Sequence, residues 1–244
     1  MIRKNKNITT VGWIVDPKFG DFAFFNPESL KSKREKPLSN RSVQACPAVN
    51  ELERRLFEVQ CPFNIQLEIE KTENGYDLFV VDHGTRLDDD LISQYVILMK
   101  PDLWRDKDVP VLQVSTPYVF VCDDDCYMSQ LPPFMDTKHH KWPGVITAGR
   151  FPIENWPRVL NWAFEWTDIT KKLTLKRGDP LFYAYFETNN PSLPVRLVMA
   201  KNTEELKEFR KGISGIPKFI SNTFKAMDIA KSRRPKKLLT PMDK

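Results

Sequence analysis

Large apolar residues alternate with polar ones most clearly within residues 157–186. Four large side chains recur at every second position, Leu160, Trp162, Phe164 and Trp166. In a strand all four share one face, and such a face requires a buried core. A second β-prone run covers residues 181–186, and the intervening 176–180 contains glycine and proline, which favour chain reversal. The pattern predicts two adjacent antiparallel strands in an aromatic-rich sheet.

A second alternating run predicts a β-hairpin over residues 63–81. Its apolar positions are Phe63, Ile65, Leu67 and Ile69. The dipeptide Asn74-Gly75 is a strong hairpin turn, and residues 76–81 return as the partner strand.

Shorter apolar runs predict further strands at 9–16, 95–99, 110–115, 118–122, 126–131, 144–148, 173–176 and 195–199. Within 86–99 a helix capped by Asp88 is the alternative, and we favour a turn followed by a strand. In total about ten to twelve short strands are expected, the number typical of a sandwich or barrel.

Helical patterns are confined to two places. Pro47 opens a short amphipathic helix that extends to Phe57, and a long polar stretch at 26–42 before it is expected to be an exposed loop. Near the end of the chain, Asn202 is a candidate N-cap with Leu206, Phe209 and Ile213 on one helical face. Gly212, Gly215 and Pro217 are expected to end that helix, a second helix is predicted at 218–231, and residues from 232 onward are expected to be loose.

These elements predict a mainly β fold, an antiparallel β-sandwich or jelly roll, with cupin-like arrangements included. The 19 prolines against 9 glycines favour short strands joined by stiff turns, and 41% hydrophobic residues suffice for a core. We predict a β domain at 1–200 and a helical, basic C-terminal appendage at 201–244.

The net charge of +5 is concentrated at the end of the chain. Residues 225–244 contain seven lysines and arginines against two aspartates. A protein partner is favoured for this segment, and nucleic acid, bound through phosphates, is the less favoured alternative. The sequence contains neither a membrane-spanning apolar run nor a signal-peptide pattern, so we expect no membrane contact and a cytoplasmic location.

No motif indicates a cofactor or a catalytic metal. The three histidines, His83, His139 and His140, lack the spacing at which ligands converge from one strand. Cys122 and Cys126 flank three aspartates, but Cys46 and Cys61 are too far apart in sequence for the second half of a zinc site, so free thiols are favoured. We predict no cofactor and no metal site.

Four landmarks carry a resemblance to known proteins: residues 46–48 (Cys-Pro-Ala), 115–118 (Ser-Thr-Pro-Tyr), 162–166 (Trp-Ala-Phe-Glu-Trp) and 177–181 (Arg-Gly-Asp-Pro-Leu). In this order they resemble uncharacterised β-rich proteins encoded by tailed phages and some bacteria. The resemblance implies a jelly-roll or double-stranded β-helix scaffold and supplies no catalytic residues. If the chain is phage-encoded, its location is the host cytoplasm.

Two hypotheses for function follow. The first is a binding or interaction module, within a phage-encoded assembly, that docks on a partner through its C-terminal appendage; the candidate contact residues are Phe219, Phe224, Met227, Arg233 and Arg234. The alternative is a jelly-roll enzyme with a small polar substrate at the barrel mouth. Its candidate residues are Arg150, Glu165, Asp168, Tyr183 and Tyr185.

Overall fold

A computed structural model describes residues 8–19, 24–33, 39–73, 75–82, 89–215 and 222–242. Within these ranges the chain forms fourteen strands and four α-helices. The strands are β1 (Thr9–Val15), β2 (Glu28–Ser29), β3 (Leu56–Gln60), β4 (Ile65–Thr72), β5 (Gly75–Asp82), β6 (Val96–Leu98), β7 (Val111–Cys122), β8 (Cys126–Leu131), β9 (Gly144–Ile146), β10 (Gly149–Pro152), β11 (Val159–Trp166), β12 (Leu173–Leu175), β13 (Pro180–Thr188) and β14 (Val195–Met199). The helices are α1 (Pro47–Glu53), α2 (Asp89–Tyr95), α3 (Glu204–Gly215) and α4 (Thr223–Ser232).

The strands form three sheets. Sheet A has the order β14-β1-β7-β11-β9, with β6 also paired to β7; sheet B has the order β10-β8-β13-β3-β2; and sheet C has the order β12-β4-β5. Among the described strands, every pairing is antiparallel except that of β1 with β14. The predicted mainly β, sandwich-like class is therefore confirmed.

The core lies between the inner faces of sheets A and B and extends under sheet C. The rings of Phe120 from β7 and Phe186 from β13 meet edge to face across it, with centroids 5.5 Å apart. Trp162 and Phe164 stack on β11 at 5.2 Å. All four alternating residues of β11 are buried, as their spacing predicts.

The predicted hairpin is also confirmed, as β4 and β5. Ile65, Leu67 and Ile69 are buried on one face of β4, and Thr72 pairs with Gly75 at the turn. Gly75 has φ of 138°, a conformation that favours glycine. Asn74 lies outside the described residues.

Helices α3 and α4 cover the outer face of sheet A. Leu206, Phe209 and Ile213 of α3 join Val119 and Val121 of β7 in a second hydrophobic cluster. The N-cap of α3 is Thr203, whose hydroxyl accepts a hydrogen bond from the Leu206 amide at 3.3 Å. The predicted cap at Asn202 is one residue too early, and the helix continues through Gly212 to Gly215.

The segment after α4 is packed, contrary to the expectation that it is loose. Leu238 and Leu239 are buried in the cluster beneath α3 and α4, and their backbone amides donate to the Asp123 carboxylate at 2.6 and 3.1 Å. The segment then pairs with the end of β14 through a bridge between Ala200 and Pro241. Two leucines in an otherwise basic run are sufficient to anchor it.

Several predicted boundaries are corrected. Helix α1 ends at Glu53, and Leu56–Gln60 is a strand; residues 89–95 form a helix before β6; and β7 is one continuous strand. None of the helices in the described residues combines the length and apolar character needed to cross a bilayer.

Candidate ligand-binding cleft

A cavity of about 300 Å³ opens where the chain passes from sheet A to sheet B. Residues 147–148 make this passage, between β9 and β10. β9 pairs with β11 at 164–166, and the Thr147 amide donates to the Ala163 carbonyl oxygen at 2.9 Å. The preceding part of β11 lines the cavity through Val159, Leu160 and Asn161. We call this cavity the amide hollow.

Amide and aromatic side chains line the amide hollow. Gln130 and Phe120 lie at its floor and are buried, whereas Thr147 and Asn161 lie at its mouth and are exposed. The aromatic part of the wall continues through Phe151 and Trp156, and Gln113 adds a third amide.

Gln130 is unusual in this lining because it is a polar residue with a buried side chain. It occupies an inward position of β8, opposite Ala184 of β13 and Gly149 of β10, and is 2% exposed. Its Nε2 has no hydrogen-bond partner among the described residues. A buried amide donor costs roughly 1–3 kcal/mol when unsatisfied, so a partner for this amide would stabilise the protein.

A second cavity of about 520 Å³ adjoins the first, between the end of β1, the start of β11 and helix α3. The two cavities share Arg158, Val159 and Asn161. Five cationic side chains and one carboxylate line the second cavity, Lys18, Arg158, Lys207, Arg210, Lys211 and Asp16. We call it the basic hollow.

Helix α3 supplies most of the positive charge. Lys207, Arg210 and Lys211 recur at helical spacing with Ser214, on the side of the helix that lines the basic hollow. Arg210 pairs with the buried Asp16, and Lys207 pairs with Glu204 at 2.5 Å. Among the described residues no carboxylate pairs with Lys18, Arg158 or Lys211.

Two polar atoms in the wall of the basic hollow also lack partners. They are the Oδ1 of Asn202 and the Nε of Arg210. Because Thr203 provides the cap of α3, the Asn202 side chain is not used by the helix. One orphaned acceptor and one orphaned donor therefore lie on a wall that already carries excess positive charge.

Arg158 joins the two hollows. Its guanidinium carbon lies 5.6 Å from the centroid of the Trp156 ring. Desolvation lowers the pKa of this guanidinium, which stays charged at neutral pH because an arginine begins from so high a pKa. Arg158 is exposed, so an anion in either hollow can reach its guanidinium.

The candidate enzyme residues predicted from the sequence are not brought together. Arg150, Tyr183 and Tyr185 lie on the outer face of sheet B. Arg150 stacks over Tyr127 at 3.6 Å and pairs with Glu187 at 2.6 Å, and burial raises the pKa of the Tyr183 phenol.

The two carboxylates lie elsewhere. Glu165 is nearly buried and pairs with Arg105 at 2.5 Å. Asp168 lies in the turn after β11, where hydrogen bonds from Lys171 and Thr170 lower its carboxyl pKa to about 2. No pair of these five groups forms a hydrogen bond or ion pair within the described residues.

The residues predicted to bind a partner are distributed differently from the expectation. Phe219 and the Phe224 side chain lie outside the described residues. Met227 packs against the cluster beneath α4, and the guanidinium of Arg234 hydrogen-bonds to the backbone oxygens of Cys122 and Asp123, each at 3.1 Å. Arg233 is exposed.

All four cysteines are thiols in the structure. Cys122 and Cys126 are buried at the two ends of the β7–β8 turn, and a hydrogen bond between them lowers the pKa of Cys122 and raises that of Cys126. Within the described residues no three histidine, cysteine or acidic side chains are arranged to hold a metal. His83 lies outside these residues.

No protein-family model matches the sequence, and no curated protein matches it either. The chemistry of the site is therefore inferred from its geometry. Its lining offers amide groups, aromatic faces and fixed cations, with one carboxylate that is held by Arg210. This set can orient a ligand and neutralise its negative charge.

Sequence reasoning missed the cleft, although two patterns pointed to parts of it. The spacing of Lys207, Arg210 and Lys211 on a predicted helix indicates a basic stripe. Arg158 is a cation at the start of an otherwise aromatic strand. The burial of Gln130 could not be found this way, because its neighbourhood is set by the pairing of strands distant in sequence.

Proposed function

We propose that the chain is a binding module whose ligand occupies the cleft formed by the amide and basic hollows. One observation carries this proposal: Gln130, Asn202 and Arg210 each present a buried, unpartnered polar atom in the walls of the two hollows. Native proteins leave few such atoms unsatisfied. Atoms of this kind also occur at Ser42, Glu154 and Asn155, but Gln130, Asn202 and Arg210 belong to side chains that line the cleft, where a ligand can provide polar partners.

The positive charge of the basic hollow indicates an anionic ligand. Three of its cations have no carboxylate partner among the described residues, and one of them, Arg158, reaches the amide hollow as well. Fixed cations in a cleft raise the local concentration of anions and speed their association.

Docking of the C-terminal appendage on a protein partner stays part of the proposal, in a narrower form. Arg234, Leu238 and Leu239 are engaged within the chain, so a partner would contact exposed groups such as Arg233, Lys236 and Lys237. The phage-encoded assembly rests on the sequence resemblance alone.

The enzyme hypothesis is the second candidate, and it is disfavoured. Arg150, Tyr183 and Tyr185 share the outer face of sheet B, but Glu165 and Asp168 lie elsewhere. Among the described residues that line the cleft there is no imidazole or thiol, and the one carboxylate, Asp16, pairs with Arg210. Ligand binding needs only the amide, aromatic and cationic side chains that line the cleft.

The test is capture of ligands by purified protein. The protein is incubated with the small-molecule fraction of a cell extract, freed of unbound compounds and denatured, and the released compounds are identified by mass spectrometry. We expect the wild type to retain at least one anionic compound, unchanged in mass, that Arg158→Ala does not retain. Arg41→Ala is the control, since Arg41 is exposed and lines neither hollow.

Two results would count against the proposal. Equal retention by the wild type and Arg158→Ala would show that the cleft is not the binding site. Conversion of the compound by the wild type during incubation would favour the enzyme.

A further inference from the structure

We propose that the ligand of the cleft is a nucleoside phosphate, with its base in the amide hollow and its phosphate in the basic hollow. This inference rests on the proposed binding function and adds the chemical class of the ligand. It follows from the division of the cleft into two compartments of different chemistry that share Arg158.

The amide hollow has the chemistry that recognises a base. Gln113, Gln130 and Asn161 each present a donor and an acceptor side by side, which matches the adjacent donors and acceptors on base edges. Phe151 and Trp156 supply aromatic surface for a flat, apolar-faced group. The described residues of the lining include no carboxylate, so they offer no counterion to a purely cationic ligand.

The Gln130 amide can hydrogen-bond to both an acceptor and a donor of a base. The Gln130 side chain lines the buried floor of the amide hollow, and its amide nitrogen can donate to an acceptor. A ring nitrogen or exocyclic oxygen of a base supplies one, and the amide oxygen beside it can accept from a base N–H. Phosphate is unsuited to this compartment because, among the described lining residues, Arg158 at the border is the only cation.

The basic hollow has the chemistry that binds phosphate. Lys18, Arg158 and Lys211 are unpaired cations, and the Nε of Arg210 is a buried donor without an acceptor. Charge-assisted hydrogen bonds from arginine and lysine to phosphate oxygens are strong and short. The phosphate of a ligand whose base fills the amide hollow reaches these groups past Arg158.

The dimensions are consistent with this division. The cavities of about 300 and 520 Å³ fall within the range of roughly 300–1,000 Å³ that is usual for small-ligand sites. An open, basic side also allows the phosphate to belong to a single-stranded nucleic acid whose terminal nucleotide enters the cleft. Both sources share the same chemistry, and the experiment separates them.

The experiment is equilibrium binding by titration calorimetry to four sets of defined probes. They are the nucleoside 5′-monophosphates, the corresponding nucleosides, inorganic phosphate and ribose 5-phosphate. We expect at least one monophosphate to bind about tenfold or more tightly than its nucleoside, than phosphate and than ribose 5-phosphate, because it alone fills both hollows. A short 5′-phosphorylated single strand is titrated in parallel: tighter binding than the monophosphate assigns the site to strand ends, and no binding assigns it to free nucleotides.

Matched variants assign the two compartments. Gln130→Leu keeps the side-chain volume and removes the amide, so it should weaken the monophosphate at least about tenfold and leave inorganic phosphate unchanged. Lys211→Ala, an exposed change on α3, should weaken both probes. Arg41→Ala should weaken neither, and the circular dichroism spectrum of each variant verifies its fold.

Two results would overturn the inference. One is binding of ribose 5-phosphate or phosphate as tight as that of every monophosphate. The other is unchanged monophosphate binding by both Gln130→Leu and Asn161→Ala, with both variants folded. If no monophosphate binds but an Arg158-dependent compound is captured from extract, only the ligand class is wrong. If nothing depends on Arg158, the proposed binding function fails with it.

Discussion

Gly12 lies where the C-terminal segment packs against strand β1, and this close packing leaves no room for a side chain at the position. A Cβ at this position would lie 2.3 Å from the Cδ1 of Leu239 and 3.0 Å from the Cβ of Ala200. From sequence alone, a glycine in this strand indicates only a weaker strand. The structure shows that it makes room for Leu239, which is 6% exposed.

Gly12→Ala should therefore lower the free energy of unfolding by about 1–3 kcal/mol, the usual cost of overpacking. Gly212→Ala is the matched control, because that glycine lies within α3 and its added methyl group would meet nothing within 4 Å. The control should be stabilising by about 0.5–1 kcal/mol, since alanine favours the helix. Urea unfolding measures both, and equal effects of the two substitutions would contradict the packing role of Gly12.

Glu154 is a buried carboxyl group in the turn between β10 and β11. Burial is the main cause that raises its pKa above the ordinary value of 4.5, and Asp125 adds to the rise. The native state therefore holds a proton more tightly than the unfolded state does. The stability that this proton confers is present at low pH and is lost as pH rises from 4.5 through the raised pKa.

Glu154→Gln should abolish this loss, so that the variant is more stable than the wild type near neutral pH. Glu70→Gln, an exposed change on β4, should leave the pH dependence as it is. Chemical unfolding at several pH values between 4 and 8 provides the comparison. A wild-type stability that rises over this interval in step with the Glu154→Gln variant would show that the carboxyl is not destabilising.

At the scale of elements, alternation predicted the strands that have one buried and one open face. It placed β4 and β11 because their apolar residues recur at every second position, whereas β5 was placed by the hairpin turn that precedes it. It missed β3, in which Leu56 to Val59 are all buried, so that no alternation exists and the run continues the preceding helical pattern. Pairing on both sides, with β13 and β2, is what makes this segment a strand.

Two adjacent residues compete for the N-cap position of α3. Asn202 and Thr203 are both good N-cap residues and are adjacent, so the sequence does not separate them. In the structure Thr203 caps the helix and Asn202 is released toward the basic hollow. The candidate site depends on this one-residue difference, which is a reason that the site was not predicted.

Thr203→Ala should cost about 0.5–2 kcal/mol of unfolding free energy through loss of the cap. Asn202→Ala should cost less, because its Oδ1 has no partner among the described residues, and should instead weaken ligand binding. Urea unfolding of the two variants side by side measures the difference. A larger loss of stability for Asn202→Ala would restore the predicted cap.

At the scale of the whole molecule, the C-terminal segment is a brace across sheet A. Its leucines complete the cluster under α3 and α4, and its backbone pairs beyond β14. The high positive charge of the segment suggested an exposed tail, because composition averages over residues with different roles. Leu238, Leu239 and Arg234 are buried or engaged, whereas the neighbouring lysines are exposed.

Arg234 is the polar anchor of this brace. Its guanidinium donates to the carbonyl oxygens of Cys122 and Asp123 at the β7–β8 turn and also to that of Glu154. It lies 3.6 Å from the Asp123 carboxylate, with its side chain 16% exposed. One side chain thus links the C-terminal segment to two turns, from β7–β8 and β10–β11, that are distant from it in sequence.

Arg234→Ala should lower the free energy of unfolding by about 1.5–3 kcal/mol, as expected when a charged hydrogen-bonding group is removed from buried acceptors. Arg233→Ala removes the same charge from the adjacent, exposed position and should change stability by less than about 0.5 kcal/mol. Hydrogen exchange should show faster opening of the Leu238 and Leu239 amides in Arg234→Ala alone, because these amides depend on the Asp123 carboxylate that Arg234 helps to hold. Equal losses of stability in the two variants would mean that charge, and not the anchoring contacts, determines the effect, and the segment would then be the solvated tail that its composition suggests.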